Sequence, residues 1–207
     1  MSDINFKDVV LKPIFKGNPV TVLVLGICSS LAVTVQMKGA CVMALSVIVV
    51  TGLSSFVASI LRNTIPNRIR IIVQLVVVSL MVILVDQFLK AYAYSVSKTL
   101  SVYVGLIITN CIVMGRIEAY ALGNKPIPSL LDGLANGAGY GLILVVVAFF
   151  REILGSGTLF GMRIIPESFY NAGYMDNGLI ILPPMALILL GIIIWIQRSI
   201  QKDLQEK

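Results

Sequence analysis

Histidine is absent from all 207 residues. That removes from this chain the side chain most often used for acid–base catalysis at neutral pH and the commonest metal-binding imidazole. Charge is scarce as well: Asp, Glu, Lys and Arg make up 13% of the residues, against about 25% in an ordinary soluble domain. Cysteine occurs three times, at Cys28, Cys41 and Cys111, each in apolar surroundings. An odd number of cysteines within apolar runs argues against a disulfide framework. There is no phosphate-binding P-loop, no nucleophile elbow and no Ser/His/Asp set, so the sequence gives no support for catalysis by this chain alone.

What the chain has instead is apolar bulk. Hydrophobic residues make up 57% of it, and the mean hydropathy is +0.95. Such a chain cannot cover itself with polar surface, so its solvent is lipid and most of its length lies in a bilayer. The net charge of +6 then reflects Lys and Arg at cytoplasmic helix ends. No basic stripe with interleaved aromatics points to nucleic acid. Residues 1–18 are mixed and amphipathic, carry Lys7, Lys12 and Lys16 and lack a small-residue cleavage site. They read as a cytoplasmic interfacial helix rather than a signal peptide.

A spanning helix needs about 20 apolar residues. Residues 19–207 read as one transmembrane domain of six segments: about 19–36, 39–61, 69–89, 99–114, 129–150 and 178–197. Segments one and four are short before a polar or Gly-rich break and read as half-helices. The fold class expected is therefore an all-α polytopic membrane protein. A weak internal duplication is visible, with repeat one over about 19–90 and repeat two over about 99–198. Each half is a short Cys-bearing segment followed by two full ones. Cys28 lies 34 residues before Arg62, and Cys111 lies 40 before Arg151, each Arg closing the second segment of its half. Three segments per half force opposite orientations, which is the inverted-repeat architecture with broken helices meeting near the midplane. With the N-terminus cytoplasmic, 11 of the 16 Lys and Arg residues fall inside. Both termini are then expected in the cytoplasm.

Two stretches organise the chain: Leu25-Gly26-Ile27-Cys28-Ser29-Ser30 and Thr109-Asn110-Cys111-Ile112-Val113-Met114-Gly115-Arg116. A membrane cysteine is most simply a small buried hydrophobe, and Cys41, with no counterpart in the second half, is read so. Cys28 and Cys111 occupy corresponding places in the two halves, where an interrupted helix exposes unpaired N–H groups that could hydrogen-bond thiolate or sulfide. A thiolate in lipid needs a metal partner. Two thiolates are an incomplete set, since iron–sulfur clusters and tetrahedral zinc usually take four ligands, so a metal site here would need two ligands from another chain. Arg116 and Glu118 read either as an interface pair at the end of a short helix or, for Arg116, as the counter-charge of an anionic centre. Asp86 is expected to pair with Lys90 one turn on, with a cation path as the lesser reading. Arg151 and Glu152 read as a terminal interface pair. Gly133, Gly137 and Gly141 form a small-xxx-small series suited to close helix packing.

These two stretches, with Asn18-Pro19-Val20 before the first and Ile117-Glu118-Ala119-Tyr120-Ala121 after the second, resemble the small membrane subunits of the bacterial sodium-translocating NADH:quinone oxidoreductases and the related Rnf electron-transport complexes. The likeness covers essentially the whole chain, including Leu131-Asp132-Gly133 and the run from Phe149 to Leu159. The Cys111 motif is common to the superfamily, whereas the compact length and the run from Gly26 to Thr34 are nearer to D-type subunits than to their Rnf homologue. The resemblance implies a bacterial inner-membrane complex that passes electrons from NADH through flavins and iron–sulfur centres to ubiquinone and exports Na(+). It implies that Cys28 and Cys111 supply half the ligands of an iron–sulfur centre of the 2Fe-2S kind, the paralogous E subunit supplying the rest. Movement of the broken helices would couple electron transfer to sodium. NADH, flavin and quinone sites would lie on other subunits. The competing readings are an inverted-repeat transporter or channel that binds a solute at its broken helices, and a scaffold subunit whose cysteines only pack.

Overall fold

The structure, a computed structural model, describes residues 17–66, 68–92, 103–159, 162–163 and 178–200. The expected surface helix over residues 1–18 lies almost wholly outside them. In chain order come α1 (Ile27–Val33), α2 (Met37–Leu61), α3 (Arg70–Tyr92), α4 (helical over residues 103–108) and α5 (Cys111–Arg116). A π-helical turn over Ile117–Ala121 continues α5, followed by α6 (Pro126–Ser156), a hairpin of β1 (Thr158–Leu159) and β2 (Met162–Arg163), α7 (Gly178–Ile181) and α8 (Pro183–Ile200). In the antiparallel hairpin Thr158 lies opposite Arg163 and Leu159 opposite Met162. It is the one departure from an all-helical fold among the described residues.

Five helical stretches among those residues are long and apolar enough to cross a membrane: Met37–Leu61, Arg70–Phe88, Tyr103–Ala121, Pro126–Ser156 and Pro183–Ile200. Six segments were expected, and the first differs. Residues 17–26 wind through tight turns and only the seven residues of α1 are helical. Gly26 and Val24 adopt positive φ there, which stops a helix from running through. The fourth segment is a single candidate span interrupted at Thr109 and Asn110. The sixth is split at Leu182, ahead of Pro183-Pro184, where proline disfavours a helical residue before it.

The centre of the fold is the pair α2 and α6, which lie antiparallel in close contact. Water gives no drive for helix association inside lipid, so approach distance decides. A Cβ added at Gly141 would lie 3.0 Å from Ala44 Cβ, one at Gly137 2.8 Å from Ile48 Cα, and one at Gly133 2.8 Å from Thr51 O. The facing numbers sum to nearly the same value each time, which is the signature of antiparallel register held over several turns. The small-residue series thus packs within the chain. Gly137→Leu is expected to destabilise the detergent-purified chain by about 3 kcal/mol, because the obstruction is backbone and cannot swing away. Gly191→Ala on α8, where no atom of the described residues lies within 4 Å of the added methyl, is the steric control and should not lower the thermal midpoint.

The two ends of α6 are polar and turned inward. Arg151 and Glu152 are 1% and 4% exposed, which corrects their reading as a terminal interface pair. Glu152 Oε2 accepts the N–H of Met37 at 2.6 Å and so caps the start of α2. Arg151 donates to Leu31 O and Thr34 Oγ1 at the end of α1 and to Ile180 O and Ile181 O at the end of α7. A guanidinium placed on the free carbonyls of two helix ends is satisfied without a carboxylate. At the other end Ser59 Oγ and Arg62 Nη1 both donate to Asn124 O, tying the exit of α2 to the loop before α6.

Candidate functional site

The first cysteine stretch is shaped by Asn18. Its Oδ1 accepts the N–H of Val20 at 3.0 Å, its carbonyl accepts Val22 N–H at 2.9 Å, and its Nδ2 donates to Gly139 O at 2.9 Å. The chain then turns through Val24, at φ 57, and Gly26, at φ 82. A β-branched residue in the left-handed region is strained by about 1–3 kcal/mol and is held there only by its surroundings. Helix α1 starts after Gly26, with Cys28 as its second residue.

Asn110 shapes the second stretch. Helix α4 stops at Thr109 and Asn110, and the Asn110 side chain caps α5 by accepting Ile112 N–H at 3.2 Å. Cys111 is the first residue of α5. The structure brings the two stretches together: Gly26 N–H points at Cys111 Sγ at 2.8 Å, and the Cys28 side chain lies near that of Cys111. Cys28 is exposed on the surface of this chain and Cys111 is partly covered. Cys41 lies apart and packs against the apolar core, as expected.

Behind the cysteines runs a closed polar network. The Ser29 hydroxyl donates to Gly26 O at 3.1 Å and meets Asn110 Nδ2 at 3.3 Å and the Tyr140 hydroxyl at 2.7 Å. Ser29, Asn110 and Tyr140 are all fully buried. A hydroxyl has one proton and two lone pairs. With the Ser29 proton on Gly26 O, Asn110 and Tyr140 are the donors and every site on Ser29 is used. Sequence reasoning does not pick out Tyr140; its one signal is a phenol amid the glycines of an apolar helix, where a buried hydroxyl demands a partner.

Arg116 and Glu118 each pair across to another helix. Arg116 does not face Glu118. It forms a bidentate pair with Asp132 of α6, Nε to Oδ2 at 2.9 Å and Nη2 to Oδ1 at 2.6 Å, and stacks 5.7 Å from the Tyr120 ring centroid. Asn136 Nδ2 supports the same carboxylate at 3.1 Å. Glu118 is paired with Arg70 of α3 and accepts from Gln74 Nε2 at 2.7 Å. In the sequence Asp132 stands out only within Leu-Asp-Gly; an acid in a packing helix is the available sign of a buried counter-charge. Asp86 pairs with Lys90 at 2.6 Å, the local pair expected.

Among the described residues no group of three or more His, Cys, Asp or Glu side chains could hold a metal ion. The site this chain builds is thus two neighbouring thiols and an N–H donor, on two interrupted helices, open on one side. This is the arrangement of a polytopic helical membrane protein whose two interrupted helices bring two cysteines together near its surface. Residues 6–194 match the family described as "Rnf-Nqr subunit, membrane protein", and the chain belongs to that family. It is 55% identical over 204 residues to the D subunit of the Na(+)-translocating NADH-quinone reductase of Haemophilus influenzae strain PittGG, covering 98% of each chain. It is 54% identical over 197 residues to the protein of the same name from Psychromonas ingrahamii, covering 95% of this chain and 94% of the relative.

Proposed function

We propose that the chain is the D subunit of a sodium-translocating NADH:quinone oxidoreductase and contributes one half of an intramembrane electron-relay site. Cys28 and Cys111 are the residues that would hold a 2Fe-2S centre, with two further cysteines from the paralogous E subunit. The observation that carries this reading is the pair of adjoining thiols with Gly26 N–H aimed at one sulfur. Two soft thiolate donors fit iron–sulfur ligation, and N–H···S bonds are a known determinant of such sites. Exposure of Cys28 on this chain leaves room for the partner's ligands. When bound, such a centre carries single electrons.

This chain's own part is to hold two sulfurs at a fixed spacing and to give one of them a hydrogen bond. It also closes the side behind them with the buried Ser29, Asn110 and Tyr140. NADH, flavins and ubiquinone are assigned to other subunits. We further propose that the two Cys-bearing segments head inverted three-segment repeats, with both termini cytoplasmic in the bacterial inner membrane. Sodium coupling is assigned to small shifts of α1 and α5. The relatives' name favours the quinone reductase over an Rnf-type complex.

The test is iron and acid-labile sulfide analysis of the purified complex in wild type, Cys28→Ser and Cys111→Ser. Each variant should lose one centre's iron, about two atoms per complex, and the NADH-driven reduction of quinone with it. Retention of wild-type iron and electron transfer in both variants refutes the relay and favours a transporter or scaffold with packing cysteines.

A further inference from the structure

The hydrogen bonds that tie the first segment and the start of α2 to α6 among the described residues run in order along that helix. Asn18 Nδ2 bonds Gly139 O, the Ser29 hydroxyl bonds Tyr140, Leu31 O and Thr34 Oγ1 bond Arg151, and Met37 N–H bonds Glu152. Tyr140 and Arg151 are 11 residues apart, almost a whole number of turns at 3.6 residues per turn. They therefore share a face and stand about 16 Å apart along the axis. Helix α1 is only seven residues long, too short to persist by its own propensity. It is gripped near its first turn by Tyr140 and at its last by Arg151. The Tyr140 grip is transmitted: Tyr140 fixes Ser29, Ser29 fixes the Gly26 carbonyl, and the Gly26 N–H meets Cys111 Sγ.

We infer that α6 is a splint for the cysteine site, with Tyr140 and Arg151 the positioning residues that set where Cys28 stands relative to Cys111. Among the described residues no hydrogen bond joins either to a sulfur. They act through α1, and the inference rests on the proposed role of the two cysteines only for its electronic consequence. Because Tyr140 also sets the Gly26 turn, loss of its hydroxyl weakens the N–H···S bond as well as the grip on α1. The same bond that positions one thiol thus tunes the other.

The experiment uses the whole complex in membranes, with Cys41→Ser so that Cys28 and Cys111 are this chain's only cysteines. Iron is stripped with a chelator and copper–phenanthroline is added as oxidant. The rate of Cys28–Cys111 disulfide closure is then followed by mass spectrometry. Tyr140→Phe keeps the ring and its packing and should slow closure about tenfold, the rate equivalent of one buried hydrogen bond. Arg151→Met should slow it at least as much, and Arg151→Lys, which keeps a cation on the same carbonyls, should return it to within about threefold of wild type. In the iron-loaded complex, Tyr140→Phe should shift the centre's midpoint potential and electron-spin resonance line shape at unchanged iron content. If Arg151→Met does not accumulate, Thr34→Val removes one of the Arg151 acceptors and takes its place. Wild-type closure rates in Tyr140→Phe and in the Arg151 or Thr34 variant overturn the splint, as does a wild type that does not close at all. The expected pattern of closure rates in a complex that lacks the centre's signal sustains the splint and removes the iron–sulfur reading.

Discussion

Arg116→Met is expected to destabilise the protein by about 3–5 kcal/mol, the cost of leaving a buried carboxylate without its partner. The Arg116 and Asp132 side chains are 16% and 7% exposed and meet in bidentate geometry. Their pairing joins the short helix α5, which begins at Cys111, to the packing helix α6. Asn136 cannot stand in for the guanidinium, because its amide already donates to Asp132 O and Oδ1 and carries no charge. In thermal unfolding of the detergent-purified protein this should appear as a fall in midpoint of about 10 °C or more. The double variant Arg116→Met/Asp132→Leu removes both charges and should recover most of the loss, since an ion pair replaced by apolar groups of similar size is often nearly neutral. If the single variant unfolds at the wild-type midpoint, the pair is not desolvated in the membrane.

The second large effect is expected at Gly26. Alanine there meets two separate penalties. The backbone sits at φ 82, which costs a residue with a Cβ roughly 1–2 kcal/mol. The new methyl would also lie 2.7 Å from Ile112 Cδ1 and 2.9 Å from Tyr140 Cε2, an overpacking worth about 1–3 kcal/mol. Ile112 could yield by changing rotamer, but the Tyr140 ring is tethered through its hydroxyl. Ile112 is also the neighbour of Cys111, so relief of the clash moves the sulfur away from the Gly26 N–H. Gly26→Ala should therefore lower stability by about 2–5 kcal/mol and raise the alkylation rate of Cys111 by a small maleimide. Measured against Ile112→Ala alone, Gly26→Ala should cost less by the Ile112 share of the crowding and keep the costs of the Tyr140 contact and of φ. A cost that vanishes in that background would show that neither the Tyr140 contact nor the left-handed turn carries any.

Legibility from sequence divides along the range of each interaction. The apolar runs, the interruption ahead of each cysteine and the Gly133, Gly137, Gly141 series were readable, because composition and helical spacing are local. So was Asp86 with Lys90, a pair within one turn. The partners of Arg116, Glu118 and Arg151 were not. Each reaches an element distant in sequence, and a residue's neighbours in the chain carry no record of which helix will lie across from it. Arg151 was misread for a further reason. A charge at the end of an apolar run usually marks water, but here the run ends against the free carbonyls of two other helices. Segment one was legible as short, but not where its helix begins, because hydropathy registers apolar content and is blind to positive φ, and residues 17–26 are apolar without being helical. The π-helical turn after α5 left no sign that we can identify in the residues that form it.

The separation between α1 and its supports has a consequence for how the protein is made. Leu31 and Arg151 are 120 residues apart, and Ser29 and Tyr140 are 111 apart. At a synthesis rate of about 5–20 residues per second, the ribosome needs roughly 6–24 s to deliver Arg151 after Leu31. For that interval the first segment is already in or at the membrane with its irregular backbone unanswered, in a solvent that offers no hydrogen bonds. The nascent chain must therefore keep residues 17–36 at the translocon or the lipid headgroups until α6 arrives. Settling of the first segment thus lags its own synthesis, and its timing is set by the arrival of α6 while residues 152–207 are still to be made.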